Sequence, residues 1–83
     1  MEMYPARVKA LLTELCVELG FCLPPEAQRR IEMAPPADID LFTDLVFREE
    51  GMDPHMPRNA HLRSQVRARV ASHIEEFRRN IVP

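Results

Sequence analysis

The groups in this chain able to do covalent or acid–base chemistry are few: Cys16 and Cys22, His55, His61 and His73, Ser64 and Ser72, and Tyr4. Nucleophilic acyl transfer needs a serine or cysteine within hydrogen-bond reach of a base. Ser72 and His73 are adjacent, which on a helix points their side chains about 100° apart and denies them that contact. Cys16 falls among the apolar residues of a helical pattern, where burial raises a thiol pKa and makes it inert. Zinc takes four ligands, in pairs at close spacing. Cys16 and Cys22, like His55 and His61, are separated by five intervening residues and match neither common template. A zinc joining Cys22 to the His55 and His61 loop is the one arrangement open to a metal, and solvated loop histidines are the plainer reading. No catalytic residue, metal or cofactor is therefore expected. The two cysteines lie one inside a helix and one just past its stop, an awkward geometry for a bridge. They are expected to be free, largely buried thiols.

Phosphate binding through a glycine-rich loop is excluded, because Gly20 and Gly51 are the only glycines and each reads as a helix stop. The chain has 11 basic against 13 acidic residues, a formal net charge of −2 and a pI near 5.9. That balance disfavours a phosphate-backbone binder. Lys9 is the only lysine among the basic residues, and prolines number eight, a bias expected of a high-GC bacterial genome. The charge is polarised: residues 1–53 hold five basic against eleven acidic residues, whereas residues 54–83 hold six arginines against Glu75 and Glu76.

The elements that must position these groups are all helical, and the expected fold is a compact all-α bundle of four helices in one domain of 83 residues. Val8, Leu11, Leu12, Leu15, Cys16 and Leu19 share one arc of a helix over about 5–19, opened by Pro5 and stopped by Gly20, with Phe21 as an apolar clamp. Pro24-Pro25 opens a short second helix over about 25–33 carrying Ala27, Ile31 and Met33 inward, ended by Pro35-Pro36. Asp38 is the N-cap of a third helix over 39–50, with Gly51 as its stop. Asp53-Pro54 and Met56-Pro57 bracket a turn. Leu62, Val66, Val70, Ile74, Phe77 and Ile81 then mark the longest helix, over about 58–79. His73 falls inside that stripe and is expected at the edge of the core, with one ring nitrogen meeting a carbonyl or carboxylate. No segment alternates as a strand would.

Arg63, Arg67 and Arg78 project from one flank of the last stripe, Arg58 and Arg69 from the other. Carboxylates such as Asp40, Asp44 and Glu50 are the expected partners, stitching the third helix to the fourth. The competing use of Arg58, Arg63, Arg67 and Arg69 is a recognition helix in the DNA major groove. A helix-turn-helix enters that helix through three or four residues, and here a longer, proline-containing connection intervenes.

The third helix is too apolar for a one-sided surface helix. Ile39, Leu41, Phe42, Leu45 and Val46 span about 160° of it, and Phe47 sits about 80° beyond. It is either a central helix packed on two sides, or Leu41 and Phe47 belong to an exposed patch that another chain covers. The expected function is a non-enzymatic protein-interaction module of adaptor, regulator or inhibitor type. It would use Leu41, Asp44, Phe47 and Arg48 with an acidic rim, its partner being another protein or a second copy in a homodimer. A DNA-binding regulator is the alternative. No apolar run approaches the ~18 residues of a membrane span, so cytoplasmic residence is the expectation.

Overall fold

The computed structural model describes the backbone of residues 5–36 and 38–81 and the side chains of residues 7–36 and 38–75. Tyr4 and the side chains of Phe77, Arg78 and Ile81, singled out above, lie outside them. Four α-helices follow in order: α1 (Pro5–Leu19), α2 (Pro25–Met33), α3 (Ile39–Glu49) and α4 (Ala60–Ile81). Among the described residues there is no strand, and no helix is long and apolar enough to cross a membrane. The fold is a small all-α bundle, as expected.

Local chemistry explains the boundaries. Pro24 and Pro25 open α2 with fixed backbone angles and no amide to leave unmatched. The Asp38 carboxylate accepts from the Leu41 amide at 2.9 Å and caps α3. Gly51, at φ +78°, then reverses the chain, and the Met52 amide returns to the Phe47 carbonyl at 2.9 Å. Residues 57–59 form a separate 3₁₀ turn rather than the start of α4: the Asn59 and Ala60 amides close the tighter rings on the Met56 and Pro57 carbonyls.

Packing follows the apolar stripes. α4 lies against both α1 and α3, and α1 also carries α2. Val8, Leu11, Leu12 and Leu15 of α1 meet Val66, Val70 and Ile74 of α4 in one core with Phe42, Val46 and Phe47 of α3. Ala27 and Ile31 enter from α2. Met33, expected inward, is 80% exposed; two residues beyond Ile31, it points about 200° away from it.

The cysteines are not free. Cys16 and Cys22 form a disulfide, with Cα atoms 4.2 Å apart. Nor are they largely buried, since Cys16 is half-buried and Cys22 exposed. The chain reversal at Gly20, φ +69°, makes the bridge possible. The Gly20 amide returns to the Cys16 carbonyl at 3.1 Å and the Phe21 amide to the Leu15 carbonyl at 3.0 Å. Residue 22 is thereby folded back over the last turn of α1, where Cys16 stands about 80° from Val8 at the rim of the apolar arc. Phe21 drops into the core beside Phe47, ring centroids 4.9 Å apart.

The bridge closes only the loop 16–22, for which chain entropy gives about 2 kcal/mol of stabilisation. The same turn is held without it by the left-handed glycine and by burial of Phe21 and Leu23. The Cys16→Ser, Cys22→Ser variant is therefore expected to keep its helical far-UV circular dichroism while melting about 10 °C lower. Rapid alkylation of both thiols in the native protein without reductant would contradict the bridge.

Candidate functional site

α3 decides which surface is left for function, and its residues divide by direction. Phe42, Thr43, Val46 and Phe47 are fully buried, and Thr43 hides its hydroxyl by donating to the Ile39 carbonyl at 2.8 Å. The flank toward α4 is closed by ion pairs. Asp44 Oδ1 accepts from Arg63 Nη2 at 2.9 Å and Nε at 3.1 Å, and Asp40 Oδ1 accepts from Arg67 Nε at 2.8 Å and Arg63 Nη2 at 3.3 Å. The opposite flank meets α2, where Arg30 Nη2 donates to Glu49 Oε2 at 2.6 Å. Between the flanks remains an outward strip. Taking Leu41 as zero at 100° per residue, Arg48 stands at about −20°, Leu45 at about 40° and Asp38 at about 60°. Leu41 is 61% exposed, Leu45 is half-buried against the core, and Asp38 and Arg48 are exposed.

The four residues expected to form a contact patch are thus separated. Leu41 and Arg48 share the outer strip. Phe47 has no exposed surface and cannot belong to a patch in this fold. Asp44 is buried in the seam with α4, where its second oxygen lies 3.6 Å from His55 Nε2. Phe47 turns inward because residue 47 lies about 240° round the helix from Leu41, on the side that Phe21 covers.

The arginines proposed for DNA are largely engaged within the molecule. Arg63 and Arg67 pair with α3, while Arg69 pairs with Glu18 and, at 3.3 Å, with Glu14 of α1. The two flanks of the α4 stripe thus bind different helices, and carboxylates serve both. Glu50 is not among the partners of these arginines. Arg58 stands exposed in the 3₁₀ turn, and the connection from α3 to α4 runs over residues 50–59, longer than a helix-turn-helix allows.

The reactive groups do not converge. Cys22 is in the disulfide, His61 is exposed, and no cluster of three or more metal-ligating side chains occurs among the described residues. Ser64 and Ser72 are exposed. His73 is buried as expected, with Nε2 3.1 Å from Glu14 Oε1. A carboxylate only accepts, so Nε2 carries the proton; Nδ1 is buried without a hydrogen-bond partner among the described residues.

The hydrogen bond from His73 outweighs burial and, with Arg69 beside it, holds the Glu14 carboxyl below its ordinary value of 4.5. Hydrogen bonds from Arg67 and Arg63 likewise hold Asp40 below its ordinary 3.8.

No protein-family model matches the chain, and neither a curated protein nor a solved structure does.

Two measurements check this geometry. Phe47→Ala should cost about 3–5 kcal/mol in denaturant unfolding, whereas Leu41→Ala should stay within about 0.5 kcal/mol; equal losses would contradict the assigned directions. The second concerns pH. A carboxyl whose folded pKa is depressed stabilises the fold fully above its unfolded value, and the contribution fades as pH falls through the folded one. Stability should therefore decline below about pH 4.5, and Glu14→Gln should flatten that decline in chemical-unfolding curves recorded between pH 3 and pH 6.

Proposed function

We propose that this chain is a non-enzymatic protein-interaction module, of adaptor, regulator or inhibitor type, whose contact face is the outer strip of α3. The observation that carries the reading is Leu41. On a helix whose other directions are filled by the core and closed by ion pairs, a leucine 61% exposed stands in line with a half-buried Leu45. A large apolar side chain at such a place, edged by Asp38 and Arg48, has the make-up of an interface centre with a charged rim.

The absence of enzymatic chemistry from this reading is supported by the state of the reactive groups. Both thiols are oxidised, His73 is hydrogen-bonded to Glu14, and His55 lies beside Asp44 rather than a nucleophile. The DNA reading is weakened by the pairs around Arg63, Arg67 and Arg69, which a phosphate backbone would have to displace. The disulfide also weighs against cytoplasmic residence and favours an oxidising compartment, since reducing cytosol keeps ordinary thiol pairs open.

A photoreactive benzoylphenylalanine introduced at position 41, compared with the same group at position 17, tests the assignment. Val17 is also highly exposed, but stands on α1. In cells of the source organism, position 41 should yield discrete protein adducts that position 17 does not. Identical adduct patterns from the two sites would reject the face.

A further inference from the structure

We infer that the α3 strip is self-complementary and pairs, antiparallel, with the same strip of a second copy of this chain; this rests on the interaction reading above. The strip runs Asp38, Leu41, Leu45, Arg48, with steps of three, four and three residues. Read backward the steps are unchanged, while the charge is negative at one end and positive at the other. A two-fold axis passing between the two helices at the level of Thr43 therefore sets Leu41 of one copy opposite Leu45 of the other, and Asp38 opposite Arg48, twice over. An isologous interface requires this symmetry, in which residue i meets j and j meets i. A parallel arrangement would place like charges together.

The groups are placed to serve. Asp38 and Arg48 are exposed, and Arg48 forms no ion pair among the described residues. Asp38 keeps its capping bond to the Leu41 amide with Oδ1, and although its charge already acts on Arg67, its Oδ2 is in no hydrogen bond among the described residues. α3 also lies at the margin of the bundle, packed chiefly on α4, so a second helix can approach it. The strip spans only about 15 Å at 1.5 Å per residue, which makes the contact small and the association weak, on the order of 0.1 mM.

Sedimentation equilibrium of the purified, disulfide-intact protein up to about 1 mM tests the pairing, with circular dichroism confirming that each variant is folded. The wild type should dimerise, and Leu41→Asp should weaken it about tenfold or more. Arg48→Glu, set against the second copy's Asp38, should weaken it about threefold to tenfold. The decisive variant is Asp38→Asn, which preserves the helix cap. It should weaken the wild-type dimer but strengthen that of Arg48→Glu, by relieving the new repulsion. This reversal of sign arises only if residues 38 and 48 meet across the interface. A monomer throughout the range, a dimer indifferent to Leu41→Asp, or additive effects of the two charge changes would overturn the pairing. Should the protein stay monomeric while position 41 cross-links to a different protein in cells, the second copy is rejected and the interaction face stands. Loss of both signals rejects both.

Discussion

Everything in this molecule hangs on a single apolar seam along α4. Val66, Val70 and Ile74 supply one stripe, and two other helices share it, the buried apolar side chains among the described residues forming a single core. Sharing is possible because the stripe has two flanks with separate arginines. Arg63 and Arg67 reach α3, and Arg69 reaches α1. The apolar contact supplies the driving force. The ion pairs, half exposed and worth little individually, serve to fix which helix lies on which side.

Several of the side chains that could otherwise act on something else are engaged within the molecule. Glu14 holds His73, Asp44 holds Arg63, and the reversal at Gly20 joins Cys16 to Cys22. One carboxylate serves twice: Glu14, which meets His73, also meets the neighbouring Arg69.

The outward surface considered above is shaped by α3. α3 gives the core four fully buried side chains, closes its flanks through Asp40, Asp44 and Glu49, and is left with one outward strip. An exposed leucine beside a half-buried one on this strip is tolerated in an isolated monomer and useful in an assembly. In the pairing proposed above, the charges at the strip's two ends bear on orientation more than on affinity.

Periodicity alone was enough to locate the four helices, because proline, glycine and a capping aspartate act through local backbone angles and hydrogen bonds that need no distant partner. The α4 stripe, the buried His73 and the two-flanked arginines were legible for the same reason: 100° per residue sets which side chains travel together. The rotation of α3 about its own axis was not legible, because its apolar arc is too broad to name a single buried face. The abundance of apolar residues on α3 therefore could not say that Phe47 turns inward onto Phe21 while Leu41 stays outside. Nor could spacing reveal the disulfide. A cysteine pair six residues apart spans a helix stop, and only the left-handed path through Gly20 brings residue 22 back over residue 16. Local angles belong to the sequence; the choice of which face meets which neighbour belongs to the packed chain, since burial is a property of what surrounds a residue.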